Sequence, residues 1–326
     1  MAPRTRYFLV GSGLVIVIGL CTGLVAYYGG VTGRAAWRSD LAYVPSMARA
    51  VGYADLSDII GSPFHQHLQR LLPSGSDKTT FEHETGIDVE RDIDSVLVAL
   101  GGDTATDLGP LVVVRGRFDQ AKIEGTATAR GALAETYRDV RMLVAPADVN
   151  AGGRLTGVPT VAFLKSGLIA LGSREAIRQA LDAEASGGDV SQDGDLMAVV
   201  SRVERTGNAW FVVRTDALTA ETQLPEVVRH HLDGVRFFAV GADVDQNLRA
   251  LVRAEARDAR SAEDLRAVIA GAVAAVRMMS TRDPRLEAAL ASVQTSGSGP
   301  AVEVQFTLPP DLLDLAHERG SLPAVQ

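Results

Sequence analysis

Residues 235–257, VRFFAVGADVDQNLRALVRAEAR, decide the fold class, because they read as two strands joined by a short turn. The predicted strands cover 235–244 and 248–257, and the three residues between them form the turn. In the second strand, small or apolar residues alternate with residues that are mostly charged. One buried and one largely solvated face is typical of an antiparallel sheet.

The same order of elements recurs elsewhere in the chain. A predicted hairpin over 160–171 is followed by a helix over 174–185, and the hairpin at 235–257 is followed by a helix over 261–279. Ser261 is the predicted N-cap of the second of these helices. This repetition predicts an α+β fold with two related halves, each an antiparallel sheet backed by helices.

The sequence divides into six predicted segments. They are a cytoplasmic tail over 1–7, a transmembrane anchor over 8–28, a linker over 29–40, a first α+β half over 41–190, a second half over 191–318 and a flexible tail over 319–326.

The anchor, FLVGSGLVIVIGLCTGLVAYY, contains no charged residue. As a helix it would be roughly 30 Å long, which is the thickness of a bilayer's hydrocarbon core. A cleaved signal peptide has a shorter apolar stretch that ends in small residues, whereas this one ends in Tyr27 and Tyr28. A lipoprotein signal needs a small residue before its cysteine, and here Leu20 precedes Cys21. We therefore expect a permanent single-pass anchor.

The orientation of this anchor follows only weakly from charge. Arg4 and Arg6 precede it and Arg34 and Arg38 follow it, so the positive-inside rule is nearly balanced. A short tail before a single span usually stays in the cytoplasm. We expect the large C-terminal domain to lie in the periplasm, attached to the bacterial inner membrane.

Three classes of partner follow from these features. Gly19 and Gly23 have the G-x-x-x-G spacing that lets two helices pack closely, so a homodimer is one expectation. The membrane itself and other envelope proteins are the others. Residues 1–38 hold four arginines and no acidic residue, so the net charge of −8 becomes −12 for the remainder. Such an acidic domain is not expected to bind nucleic acid.

Motifs for catalysis or metal binding are weak. The domain has no cysteine, no G-x-S-x-G motif and no H-E-x-x-H spacing. Acidic residues alternate over 88–94 as in a calcium loop, but Ile93 and Ala99 stand where such a loop has Gly and Glu. We expect instead that Asp88 caps one helical turn and that Ile93 enters the core. No cofactor and no metal is expected.

Arginine on predicted strands is the most suggestive chemical feature. The residues are Arg115, Arg117, Arg249, Arg253 and Arg257. Together they could bind an anionic lipid head group, a glycan or a small anionic ligand. The alternative is a solvated sheet face on which arginine pairs with carboxylates such as Glu255.

Several stretches resemble a group of bacterial proteins. The motifs are L-A-Y-V-P followed by A-x-A-V-G-Y-A-D-L, the turn T-G-I-D…D-I-D, the strand V-V-V-R-G-R-F-D and the hairpin F-L-K-S-G-L-I-A-L-G-S. They resemble uncharacterised bacterial, acidobacterial-type, single-pass membrane-anchored proteins of unknown function with a "YVP…A…Y-D-L" opening. The resemblance implies a cell-envelope protein with two α+β halves and no assigned activity, and it supplies no catalytic residues.

The sequence thus favours a non-enzymatic envelope protein that acts through protein contacts. The alternative is an envelope binding module for an anionic lipid, glycan or small ligand, and an envelope enzyme comes third.

Overall fold

The computed structural model describes residues 37–71, 87–101, 109–146, 158–216, 234–279 and 284–318. The strands within these ranges are β1 Ala50–Asp55, β2 Ile93–Leu100, β3 Leu111–Gly116, β4 Leu133–Tyr137, β5 Val140–Val144, β6 Pro159–Lys165, β7 Leu168–Ser173, β8 Ala209–Arg214, β9 Val235–Val244, β10 Leu248–Ala256, β11 Gln294–Ser296 and β12 Ala301–Leu308.

The α-helices in the same ranges are α1 Trp37–Asp40, α2 Leu56–Gly61, α3 Pro63–Leu71, α4 Val89–Asp92, α5 Gln120–Ala129, α6 Arg174–Ser186, α7 Gly194–Val203, α8 Ala259–Met279, α9 Pro284–Ala291 and α10 Asp311–Glu318.

All of these strands belong to one antiparallel sheet with the order β11-β12-β10-β9-β8-β1-β2-β3-β7-β6-β5-β4. The predicted α+β fold with a large antiparallel sheet backed by helices is therefore confirmed. The expectation of one sheet in each half differs from the structure, because β1 pairs with β2 on one side and with β8 on the other. This pairing joins the strands of the two halves and hydrogen-bonds strand edges that two separate sheets would leave open.

Each half of the sequence supplies one contiguous arm of the sheet. Residues 41–190 contain β1 to β7, and residues 191–318 contain β8 to β12. Helices cover both faces. We call the side that carries α1, α6 and α7 the front face, and the side that carries α2, α3, α5, α8 and α10 the back face.

The front face has an aromatic centre that includes both tryptophans of the sequence. Trp37 of α1 is 2% exposed, and its ring meets that of Trp210 edge to face at 4.8 Å. Tyr53 of β1 packs beside both rings, and burial raises the pKa of its hydroxyl.

The buried carboxylate of Asp40 accepts two hydrogen bonds from the Arg115 guanidinium. The last four residues of the predicted linker over 29–40 are thus a folded part of the domain, because Trp37 and Asp40 have partners on the sheet.

Several local predictions are confirmed. Asp88 accepts hydrogen bonds from the Glu90 and Arg91 amides at 3.1 and 3.3 Å, so it caps the single turn of α4. Ile93 is 5% exposed and lies in the back-face core. The hairpin predicted over 235–257 is β9 and β10.

Two local predictions are wrong. The sequence predicts a single strand over 137–144, but in the structure this stretch spans the end of β4, a turn at Arg138 and Asp139 with φ of 46° and 61°, and β5, which pairs with β4 as a hairpin. Helix α8 begins before Ser261, whose amide donates to Asp258 Oδ1 at 2.7 Å. Asp258 therefore holds the first turn in place of the predicted Ser261 cap.

Some predicted segments lie outside the described residues. They are the tails over 1–7 and 319–326, the anchor over 8–28 with Gly19 and Gly23, and residues 29–36 of the linker. Within the ranges that are described, no helix is both long enough and apolar enough to cross a membrane.

The role of Trp37 in folding can be tested by truncation. We expect Trp37→Ala to lower the free energy of unfolding by about 3–5 kcal/mol, as for other buried tryptophans. Urea unfolding of the full-length protein in mild detergent, followed by far-ultraviolet circular dichroism, measures this loss. The neighbouring Arg38, whose side chain is 55% exposed, provides the control. Arg38→Ala should cost about 1 kcal/mol or less. Equal effects of the two substitutions would contradict the assignment of Trp37 to the core.

Candidate functional site: an arginine-lined cleft

The five arginines singled out on the strands do not form one cluster. Strands β3 and β10 are five positions apart in the sheet, which separates Arg115 and Arg117 from β10 by about 24 Å. Arg249 and Arg257 lie near opposite ends of β10, about 27 Å apart. A single anion site formed by all five is therefore not present.

Two of these arginines have structural partners in the first arm of the sheet. Arg115 binds the buried carboxylate of Asp40 and so holds α1 against the front face. Arg117 donates to the main-chain carbonyl of Arg91, which lies within the single turn of α4. Both guanidiniums thus fasten neighbouring elements to the sheet.

Arg253 forms ion pairs with two glutamates on the front face of the sheet. Its Nε donates to Glu255 Oε1 at 2.9 Å, and a second nitrogen binds Glu303 on β12. The Arg253 side chain is only 11% exposed. For this residue the alternative interpretation, in which arginine pairs with carboxylates on a sheet face, agrees with the structure.

A cleft of about 400 Å³ lies on the front face where the end of α7 meets β10, β11 and β12. Arg202, Arg205 and Thr206 line it from the α7 side, and Arg249, Gln294 and Gln305 line it from the strands. Of the five strand arginines, Arg249 is the one that lines this cleft. The lining is largely polar, with two arginines that sequence reasoning did not single out.

Two glycines allow the end of α7 to lie directly on β9. A Cβ at Gly241 would lie 2.5 Å from the Val203 carbonyl oxygen and 2.5 Å from Thr206 Oγ1. A Cβ at Gly207 would lie 2.2 Å from the Cβ of Asp243. Backbone therefore packs on backbone here, which fixes the height of Arg202 and Arg205 above the sheet.

Helix α7 is fixed along its length as well as at its end. Leu196, Val199, Val200 and Val203 are buried against the sheet, none of them more than 4% exposed. Asp193 accepts a hydrogen bond from the Leu196 amide at 3.1 Å and caps the first turn. The sequence prediction left out this helix, although these residues have the i, i+3, i+4, i+7 spacing of an amphipathic helix and follow an N-cap.

Asn208 holds the segment that follows α7. Its amide donates to the Val244 carbonyl at 2.9 Å and accepts from the Val244 amide at 3.0 Å. Its own carbonyl accepts from the Asp55 amide at 2.7 Å. Asn208 therefore ties the segment after α7 to β9 and to the end of β1.

Positive charge is in excess at the cleft. Arg249 pairs with Asp243 directly across the β9–β10 ladder, and the hydrogen bond to that carboxylate raises the pKa of Arg249. Arg202 and Arg205 are exposed, and no carboxylate among the described residues pairs with either side chain. The nearby Glu204 binds Arg38 instead. Two guanidiniums are thus available to a ligand.

The chemistry of the cleft favours binding over catalysis. Its lining contains arginine, amide and hydroxyl groups but no histidine, cysteine or carboxylate that could act as a base. Groups of three or more metal-ligating side chains do not occur within the described ranges.

Comparison with known proteins adds no function. No protein-family model matches the chain, and no curated protein matches it. One similar solved structure is "Structure of crystal form I of TP0453", with a TM-score of 0.47 and 8% sequence identity. The alignment covers 85% of this chain and 96% of that chain. At this identity and score, the likeness supports no conclusion about what the present chain does.

The close approach at Gly241 can be tested with a single methyl group. We expect Gly241→Ala to lower the free energy of unfolding by about 1–3 kcal/mol, because its Cβ would overlap the Val203 carbonyl. Gly125 in α5 is the matched control, since nothing lies within 4 Å of its Cβ position. Gly125→Ala should leave stability unchanged or raise it by up to about 1 kcal/mol. Urea unfolding of the full-length protein distinguishes the two, and an undiminished stability of Gly241→Ala would contradict the packing described.

Proposed function

We propose that the protein is a membrane-tethered, non-enzymatic binding module that holds an anionic ligand in the cleft at the end of α7. The observation that carries this proposal is the position of Arg202 and Arg205, which line the cleft beside Arg249 without carboxylate partners among the described residues. Guanidinium groups form strong, paired hydrogen bonds with phosphate and carboxylate groups.

The rest of the lining suits a charged and hydrated ligand. Gln294, Gln305 and Thr307 add donors and acceptors beside the arginines. The volume of about 400 Å³ lies near the lower end of the usual range for ligand sites, roughly 300–1,000 Å³. A small phosphorylated or carboxylated group fits this chemistry better than an apolar ligand does.

The location in this proposal comes from the sequence. An uncharged stretch over 8–28 supports a permanent anchor in the bacterial inner membrane, with the domain in the periplasm. The resemblance to single-pass bacterial envelope proteins supports the same location.

We also propose that the two arms of the sheet are related to each other. In the first arm, the hairpin β6–β7 leads into α6 behind the cap Ser173. In the second arm, the hairpin β9–β10 leads into α8 behind Asp258. The shared order of hairpin, cap and helix supports two related α+β halves within one sheet.

Action through protein contacts is the second candidate function, and α8 favours it. Val268 is 42% exposed and Met278 is 76% exposed, so apolar side chains lie on the outside of this helix. Exposed apolar surface is a common feature of protein interfaces. An envelope protein or a second copy of this chain could cover it.

The second candidate predicts a specific loss of crosslinking. With a photo-reactive residue on α8, at the exposed position Ala274, we expect a crosslinked partner from the native membrane and its loss in Val268→Glu. Ala121→Glu, on the exposed side of α5, is the control that should leave crosslinking unchanged. Recovery of no crosslinked species in either background would argue against this function.

The first candidate predicts a loss of anion affinity. We expect the double variant Arg202→Ala, Arg205→Ala to weaken binding of inorganic pyrophosphate by at least about tenfold, because each charge-assisted hydrogen bond contributes roughly 1.5–3 kcal/mol. Isothermal titration calorimetry of the full-length protein in an uncharged detergent measures this affinity. Arg260→Ala on α8, an exposed arginine on the back face, should bind like the unaltered protein. Equal affinity in all three proteins, or none in the unaltered one, would exclude the cleft as an anion site.

A further inference from the structure

We propose that the anion bound in the cleft is the phosphate of lipid head groups in the same membrane that holds residues 8–28, so that the cleft faces the bilayer. This inference rests on the proposed anion binding and assigns its ligand class. Four features lead to it. Three belong to the described residues: where the chain enters the domain, how firmly it is held there and where the positive charge lies. The fourth is the length in the sequence of the tether, which we define as residues 29–36.

The entry point of the chain is fixed on the sheet. Trp37, the first described residue, is 2% exposed and packs against Trp210. Three residues later, Asp40 is bound by Arg115 of β3. The tether therefore begins at a defined place on the front face.

The cleft lies next to that entry point. Arg38 binds Glu204, which is the C-cap of α7. Glu204 stands between Arg202 and Arg205 in the sequence, so both cleft arginines are within about one helical turn, 5.4 Å along the axis, of the residue that the entering chain contacts. The segment that leads to the membrane and the unpaired guanidiniums thus share the end of α7.

The tether is too short to carry the entry point far from the membrane. Eight residues separate Tyr28, the end of the predicted anchor, from Trp37. Even when fully extended they span only roughly 30 Å. Whatever path the tether takes, the entry point at Trp37 therefore lies within roughly 30 Å of the end of the predicted anchor.

Charge favours one orientation of the domain on an anionic bilayer. The chain after residue 38 has a net charge of −12, so most of its surface is repelled by anionic lipid. At the cleft, Arg38 and Arg249 are matched by Glu204 and Asp243, which leaves Arg202 and Arg205 in excess. The cleft side therefore carries positive charge that such a membrane attracts, and the chain enters the domain on that same side.

The experiment measures how closely the cleft approaches the lipid head groups. Full-length protein with Cys21→Ser is placed in nanodiscs of pure phosphatidylcholine or of equal parts phosphatidylcholine and phosphatidylglycerol. A donor dye is attached to a cysteine at Ala291, an exposed position beside the cleft, and an acceptor dye is carried by the head groups. A second labelled protein has its cysteine at Leu133 on β4, the strand at the far edge of the sheet. We expect phosphatidylglycerol to raise energy transfer from position 291 and not from position 133, and added salt to reverse the rise.

Variants test whether the arginines cause this approach. Arg202→Ala, Arg205→Ala should lower energy transfer in phosphatidylglycerol discs to the phosphatidylcholine level. Arg202→Lys, Arg205→Lys should keep much of the rise because it keeps the charge. Arg260→Ala on the back face should change nothing. Unchanged thermal unfolding of each variant excludes misfolding as the cause.

Pyrophosphate titration of the phosphatidylcholine discs distinguishes the lipid ligand inferred here from the proposed anion binding in the cleft. A lipid-dependent rise that the alanine variant abolishes supports the lipid ligand. Equal energy transfer in both lipids, with pyrophosphate still bound, overturns the lipid ligand and retains an anion site for a soluble molecule. Equal transfer with no pyrophosphate binding overturns both. A rise that persists in the alanine variant overturns the cleft as the contacting surface.

Discussion

The pairing of β1 with two neighbours is the constraint on which the rest of the structure depends. Its backbone is hydrogen-bonded to β2 over the full length of the strand and to β8 from residue 50 to residue 54. The two arms of the sheet therefore share one front-face and one back-face core, and neither arm has a free inner edge. Val51 and Tyr53 face the front core, where Trp37 and Trp210 meet. The point at which the described chain begins, Trp37, is thus packed on the centre of the sheet.

That central position also determines where the candidate cleft lies. Helix α7 lies over β8 and β9, directly beside β1, and it ends where Gly207 and Gly241 let its backbone touch the sheet. Beyond α7, the front sides of β10 and β12 carry Arg249, Gln305 and other polar groups in place of an apolar core. The end of α7 and the uncovered polar surface of the neighbouring strands together line a concave, charged cleft. The cleft is a consequence of the helix ending before the sheet does.

Local elements could be predicted from the sequence, and distant pairings could not. Strands β9 and β10 match the alternating pattern to within one residue, and α6 matches its cap and spacing, because both signals are contained in neighbouring residues. The β1–β8 ladder joins strands about 160 residues apart, and no local pattern specifies it. Helix α7 was missed although its spacing was readable. Arg202 and Arg205, two of the three cleft arginines, were missed with it, since only arginines on predicted strands were considered as anion ligands.

The presence of arginine in the sequence could not by itself identify the candidate cleft. Of the 32 basic residues in the chain only Lys78, Lys122 and Lys165 are lysines. Arginine is therefore the usual basic residue throughout the chain, whatever the role of the position. Many arginines of the described residues form ion pairs with carboxylates, as Arg115 and Arg253 do, and such a pair presents little net charge to a ligand. Among the described residues, no carboxylate pairs with Arg202 or Arg205, and both line a concave surface. Which arginines pair with a carboxylate is decided by tertiary contacts. In an acidic, arginine-rich protein, the arginines left unpaired therefore indicate a binding site better than the arginines that sequence patterns make conspicuous.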